Sequence, residues 1–206
     1  MTTYTIFSDA SDGQISSNNA SYATARSGGS LVATTNGTSF TTGQVADFTC
    51  YEIFIGWDTS AINDAETVSS ATISLYGSVN QSTTDFTMNV RDFNWGSTLT
   101  TADWIAGASL SGNTLLATFD TTGYATTGYN DFTSQAAILT SVSKTAFTYV
   151  VVSSSRHEGN NQPSGNEFVQ AWAADQAGTT NDPKIVVVAD APAGTKFRMM
   201  LTGVGY

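Results

Sequence analysis

The sequence predicts an all-β protein, a β-sandwich with one or two short helices. Two observations lead to this fold class. Segments in which apolar and polar residues alternate recur along the chain, and turn-forming Gly, Asn, Asp and Ser residues separate them. The chain of 206 residues has the length of one large sandwich domain, and its 40% hydrophobic residues suffice for a packed core.

The N-terminal third contains two weak strand signals. We expect a first strand over residues 3–7 and a short strand over residues 31–33. A loop rich in Ser, Asn and Gly follows the first strand and carries Asp9 and Asp12. Turns are predicted around Asn36-Gly37 and Thr42-Gly43.

Two central strands have the clearest patterns. In residues 51–57 every odd position is large and apolar, namely Tyr51, Ile53, Ile55 and Trp57. In residues 71–76, Ala71, Ile73 and Leu75 alternate with Thr72 and Ser74. A period of two is typical of a strand with one face in the core, so Thr72 and Ser74 are expected to point outward.

The C-terminal half continues the alternation of strands and short helices. Phe86, Met88 and Val90 alternate with polar residues and predict a strand. Thr100 or Thr101 can cap a helical turn, with Gly107 just past its end. We expect a weak strand over residues 115–119, a short helix over 135–142, an apolar central strand over 147–152, and closing strands over 168–173 and 184–188.

These segments, in this order, resemble the DNRLRE-type domains, which are jelly-roll β-sandwiches related to carbohydrate-binding modules. The family's strand and turn match residues 54–62, and its next strand matches residues 68–76. Later family segments match residues 130–133, 135–142, 147–152 and 182–188, so the resemblance covers roughly residues 3–189. It implies a jelly-roll β-sandwich over residues 1–190 and a binding or structural module rather than an enzyme.

Composition narrows the classes of partner. The formal net charge is −10, so the chain cannot neutralise phosphates and a nucleic-acid partner is not expected. No apolar run reaches the length of a membrane helix. The single cysteine, Cys50, excludes an intramolecular disulfide and is expected to be a buried small hydrophobe. Residues 1–7 lack the features of a signal peptide, so the protein is either a trimmed mature chain or folds in the cytosol, and the initial Met favours the second.

The last residues differ from the rest in composition. Residues 191–194 form a small-residue linker, and residues 195–206, here called the tail, contain Lys196 and Arg198 but no acidic residue. Phe197, Met199 and Leu201 alternate with these two cations. The tail is therefore predicted either to anchor the protein by adding a strand to a neighbouring subunit, or to add an edge strand to its own domain or fray.

Candidate chemical residues are sparse. His157 lies between Arg156 and Glu158 with no nucleophile motif nearby, so we expect these residues to be solvated in a loop. Asp9 and Asp12 resemble a fragment of a calcium loop, and related sandwiches hold structural calcium, so they are the candidate metal ligands. No other cofactor is expected. A sugar would need exposed aromatic rings, and the loop candidates are Trp95, Trp104, Tyr124 and Tyr129. For Trp95 and Trp104, capping of the sandwich core is the favoured alternative.

Two functions remain from the sequence. The first is a virion structural protein of a tailed bacteriophage, a head decoration or fibre-like protein that is assembled in the host cytoplasm. This function is implied by the resemblance of the whole chain to phage structural proteins that carry this domain. The partners of such a protein would be capsid proteins or a neighbouring subunit in a homo-oligomer. The second is a carbohydrate-binding module for a surface glycan. An enzyme is a distant third.

Overall fold

The computed structural model describes residues 1–192 and confirms an all-β sandwich of the jelly-roll kind. Its strands are β1 (Thr2–Phe7), β2 (Gly13–Asn18), β3 (Ser30–Thr34), β4 (Ser39–Gln44), β5 (Cys50–Asp58), β6 (Thr67–Asn80), β7 (Thr87–Asp92), β8 (Leu115–Asp120), β9 (Tyr129–Asp131), β10 (Thr133–Ser134), β11 (Phe147–Ser154), β12 (Glu167–Trp172) and β13 (Lys184–Asp190). Its helices are α1 (Tyr22–Gly28), α2 (Gly107–Leu110), α3 (Ile138–Ser141) and α4 (Ser155–Glu158).

All strand pairs are antiparallel and belong to one curled sheet. The strand order along its main path is β1-β13-β6-β12-β4-β5-β11-β7-β8-β10. Strand β2 pairs with β5 and β3, and β9 pairs with β6. Strand β13 therefore lies between β1 and β6, and β1 is at one end of the sheet formed by residues 1–192.

The main core lies between the two layers of this curled sheet. Ile53, Ile55 and Trp57 of β5 face inward, as predicted, and all three are fully buried or nearly so. The predicted inward residues of β6 (Ala71, Ile73 and Leu75) and of β7 (Met88 and Val90) belong to the same core. Burying each large apolar side chain stabilises the fold by about 1.5–3 kcal/mol.

A second apolar cluster covers the other face of β5 and β11. Phe54 and Val151 lie at its centre, so these two strands are buried on both faces. The loop after β7 supplies Trp95, Leu99 and Ile105, which cover the cluster from outside. This double burial explains why residues 51–57 and 147–152 are apolar almost without interruption.

Several elements in the N-terminal region differ from the sequence prediction. Strands β2 and β4 and helix α1 were not predicted, and the turn predicted at Thr42-Gly43 is wrong because both residues lie inside β4. These elements bury polar side chains whose donors and acceptors are paired in hydrogen bonds. Ser17 of β2, for example, donates to the Ala25 carbonyl oxygen at 2.6 Å and accepts from the Gly29 N–H at 2.8 Å. An apolar pattern cannot reveal such strands.

Smaller differences concern exposure and helix bounds. Ser74 was expected to point to solvent but is buried, and its hydroxyl donates to Asp131 at 2.7 Å. The capped turn is confirmed as a 3₁₀ turn at Thr101–Asp103 with a capping box between Thr100 and Asp103. Gly107 begins α2 instead of ending that turn. Four short helices replace the predicted one or two, and the longest within residues 1–192 has seven residues, too short to cross a membrane.

Candidate functional site

Strand β1 has one edge that pairs with no other strand within residues 1–192. The Ser8 N–H donates to the Pro183 carbonyl oxygen at 2.8 Å, so this register position is a hydrogen-bonded pair. In an antiparallel ladder the backbone groups of alternate residues point to opposite sides. The N–H and C=O groups of Thr3, Thr5 and Phe7 therefore point away from β13, and we call them the β1 edge.

The β1 edge lacks the features that usually protect an edge strand. Exposed edges in natural proteins carry charged side chains, prolines or bulges that prevent pairing with another chain. Residues 2–7 contain no charged residue and no proline, and their pairing with β13 has no bulge. Among residues 1–192 the exposed large hydrophobic side chains are Met1, Phe7 and Val32; Met1 precedes β1 and Phe7 is its last residue.

The inner face of β1 is incompletely covered. Tyr4 and Ile6 pack against the main core but stay half-buried. On the same face Glu66 accepts hydrogen bonds from Thr2 Oγ1 at 2.9 Å and from the Tyr4 hydroxyl at 2.8 Å. The bond to Glu66 raises the pKa of Tyr4, so the phenol remains a donor at neutral pH.

The chain leaves the sandwich beside this edge. Ala189 of β13 pairs with Thr2, and β13 ends at Asp190, so residue 191 starts next to the beginning of β1. Asp190 and Glu66 make this corner acidic. The predicted anchoring residues lie outside the described residues; they are Lys196, Phe197, Arg198, Met199 and Leu201.

A buried network of charged residues occupies a different part of the molecule. Arg91 donates two hydrogen bonds to the Glu158 carboxylate, at 2.9 and 2.6 Å, and Ser153 donates a third at 2.6 Å. Burial alone would raise the pKa of Glu158, but these hydrogen bonds hold it below its usual value. Arg26 of α1 donates to the carbonyl oxygens of His157 and Glu158. The expected solvated loop at residues 156–158 is therefore wrong.

His157 and Glu52 face each other beside this network. Both side chains are fully buried, with 3.8 Å between His157 Nδ1 and Glu52 Oε1. Burial lowers the pKa of His157 to about 4 and raises the pKa of Glu52 well above its usual value. The Trp104 ring lies 5.4 Å from the imidazole, centroid to centroid, and a Cβ on Gly107 would come within 2.7 Å of it.

Glu167 forms the third part of the network. It is fully buried and accepts from Arg156 at 2.5 Å and from the Gln44 amide at 2.8 Å. The Tyr22 hydroxyl in turn donates to Gln44 at 2.8 Å. These contacts connect α1, β4, α4 and β12, so the network fixes the helices to the sheet. One sequence signal pointed to it, since Glu52 interrupts an otherwise apolar strand and a buried carboxylate requires a partner.

The two predicted metal ligands have different environments. Asp12 is fully buried, and its Oδ2 accepts from Ser8 at 3.1 Å and from the Ala174 N–H at 3.2 Å. Its Oδ1 has no hydrogen-bond partner, and burial raises the pKa of this carboxyl to about 7. Asp9 caps its own exposed turn by accepting from Ser11. Residues 1–192 contain no group of three or more His, Cys, Asp or Glu residues arranged to hold a metal, and the calcium site stays a prediction.

The four predicted sugar-stacking rings make contacts within the protein. Trp95 is buried in the second cluster, and Tyr124 is buried in the main core with its hydroxyl donating to the Gln170 carbonyl oxygen at 2.8 Å. Trp104 is half-buried against His157. Tyr129 is half-buried too, and the Lys184 ammonium lies over its ring, 3.6 Å from the centroid. Stacking on a sugar by these rings stays a prediction.

Comparison with known proteins identifies no relative. No protein-family model matches the chain, and no curated protein sequence matches it significantly. The resemblance to DNRLRE-type domains therefore remains a prediction from the motifs, and function has to be argued from the chain itself.

Proposed function

We propose that the protein is a non-enzymatic structural protein of a tailed-bacteriophage virion, a head decoration or fibre-like protein. It docks on a capsid protein or a neighbouring subunit through the tail and displays the loops of the sandwich outward. The observation that carries the proposal is the position of the chain exit at Asp190, directly beside the unprotected β1 edge. An anchoring segment and a strand-pairing surface thus occur at the same corner of the domain.

The chemistry of the described surface favours a structural role over catalysis. Among the acidic residues and histidine, the side chains with the most strongly shifted pKa values are Asp12, Glu52 and His157, and all three are fully buried. Two surface pockets, of about 240 and 200 Å³, lie along residues 69–72 with 134–139 and along residues 10–11 with 97–99. Neither pocket is lined by an ionisable side chain, so neither offers a general acid or base.

Charge favours a protein partner. Residues 1–190 contain 17 acidic and five basic residues, and the tail adds two basic residues and no acidic one. An acidic body of this kind repels nucleic-acid phosphates. A basic and apolar tail complements the acidic surface of a like subunit, which favours assembly into a homo-oligomer.

Glycan recognition is the second candidate function, and the geometry favours it less. Sugar stacking requires an aromatic face that is open to solvent. Trp95 and Tyr124 are buried, and Lys184 covers one face of Tyr129. Trp104 is the ring left with a partly open surface, so a glycan array with wild-type protein and a Trp104→Ala variant tests this function directly.

The experiment that tests docking uses virions of the phage that encodes the chain, prepared without this protein. Full-length protein and a variant that ends at Pro192 are added in excess, and occupancy is measured after sedimentation. We expect saturable binding of the full chain and loss of binding by the shortened one. Absence of binding by the full chain refutes the virion role, and equal occupancy by both forms refutes anchoring through the tail.

A further inference from the structure

We infer that the β1 edge is the receptor for the tail of a second copy of this chain, which adds to it as an extra antiparallel strand. The inference rests on the proposed function, because it names the surface on which an anchoring tail docks. It also makes a separate claim, that the first partner of the protein is another copy of itself.

The hydrogen-bonding capacity of the β1 edge fits an added strand. Thr3, Thr5 and Phe7 each direct one N–H and one C=O away from β13, at the two-residue spacing that a new strand requires. Within residues 1–192 no strand pairs with this side of β1. Backbone pairing of this kind gives affinity, and the side chains that alternate along the added strand give specificity.

The side-chain pattern of the tail matches the two faces of β1. Tyr4 and Ile6 extend the apolar inner layer but remain half-buried. Phe197, Met199 and Leu201 recur at the same two-residue spacing and would continue that layer over the uncovered margin. On the opposite face of the added strand, Lys196 and Arg198 would lie toward solvent beside an acidic domain.

Chain direction favours a second copy over the same molecule. β13 and β1 are antiparallel, so a tail that turned back from Asp190 around its own β1 would run parallel to it. Parallel pairing is less stable per residue than antiparallel pairing. A tail from another copy approaches without this restriction and can pair in the antiparallel direction.

The test uses full-length variants and measures mass in solution by light scattering coupled to size-exclusion chromatography. Thr5→Pro removes one backbone N–H that points away from β13 and forms no hydrogen bond with it. Proline is tolerated at the edge of a sheet. Thr5→Val keeps this N–H and is its control. In the tail, Met199→Asp with Leu201→Asp disrupts the inward face, and Met200→Asp, on the other face, is the matched control.

We expect wild type, Thr5→Val and Met200→Asp to be larger than one 21.6 kDa chain, while Thr5→Pro and the Met199→Asp/Leu201→Asp variant have the mass of one chain. A mixture of the last two should associate, because one supplies an intact tail and the other an intact β1 edge. Near-ultraviolet circular dichroism confirms that each variant is folded, and Thr3→Pro replaces Thr5→Pro if that variant is not.

Three results would overturn the inference. They are a wild-type mass of one chain, an oligomer that persists in the folded edge proline variant, and two monomeric variants that do not associate when mixed. The first and second leave the proposed function intact if virions still bind the full chain. Virions that do not bind a protein whose tail and edge associate as expected would refute the virion role alone.

Discussion

Replacing Asp12 by Asn should remove a pH dependence from the stability of the protein. The Asp12 carboxyl is fully buried, its Oδ1 has no partner, and burial raises its pKa from 3.8 to about 7. At about 1.4 kcal/mol per pKa unit this rise corresponds to roughly 4 kcal/mol. Asn keeps an oxygen that can accept from Ser8 and from the Ala174 N–H, but it never ionises.

The direction of this stability change follows from proton uptake by Asp12 in the native and the unfolded protein. Below about pH 4 Asp12 is protonated in the native and the unfolded protein. Between pH 4 and 7 Asp12 keeps its proton only in the native state, so the contribution of Asp12 to the free energy of unfolding falls as pH rises. The stability of Asp12→Asn relative to wild type should therefore increase by about 3 kcal/mol between pH 5 and pH 8.

Urea unfolding followed by tryptophan fluorescence, at both pH values and with a chelator present, measures this difference. Asp9→Asn is the control, because Asp9 lies in an exposed turn and its variant should show no such change. A difference between Asp12→Asn and wild type that stays constant from pH 5 to pH 8 would refute the reasoning. Without the chelator, the same series tests the calcium prediction: Ca²⁺ should raise the melting temperature of wild type at pH 8 but not that of Asp12→Asn.

Three further predictions concern buried groups. Gly77→Ala should lower the free energy of unfolding in urea by several kcal/mol, because the added Cβ would lie 1.9 Å from the Ala125 carbonyl oxygen. Gly123→Ala is the control and should leave the free energy of unfolding nearly unchanged, because the space around Gly123 is open. The free energy of unfolding of His157→Gln should increase by about 3 kcal/mol relative to that of wild type from pH 7 to pH 4. The reason is that unfolded wild type takes up a proton in this range, whereas the native imidazole resists protonation. A difference between the two proteins that does not change with pH contradicts the buried neutral histidine. Cys50 should react with a thiol reagent only after unfolding, because the thiol is buried and burial raises its pKa; rapid labelling of native protein would contradict this.

The strands that the sequence predicted well are those in which apolar periodicity dominates. Ile53, Ile55 and Trp57, and likewise Ala71, Ile73 and Leu75, lie in the core as their spacing indicated. Strands β2 and β4 could not be found this way, because they bury Ser17, Thr42 and Gln44. Such residues are stable inside only through hydrogen bonds to distant parts of the chain, and a local pattern contains no information about those partners.

The buried charged network escaped prediction for the same reason. Arg156, His157 and Glu158 are consecutive charged or polar residues, which normally indicates a solvated loop. Their burial depends on Glu167, Arg91 and Glu52, whose distances in sequence from their partners are 11, 67 and 105 residues. The β1 edge was equally hidden, because a free edge is a property of strand order and not of the strand's own residues.

The place of β13 between β1 and β6 also sets the order of events during synthesis. Strand β1 is made long before β13, the strand that joins it to the sheet. Contacts between residues this far apart in sequence form slowly, since a long loop must close first. Until then β1 remains unpaired on both sides and prone to non-native association. A nascent chain therefore cannot attach β1 to the sandwich until β13 has been made.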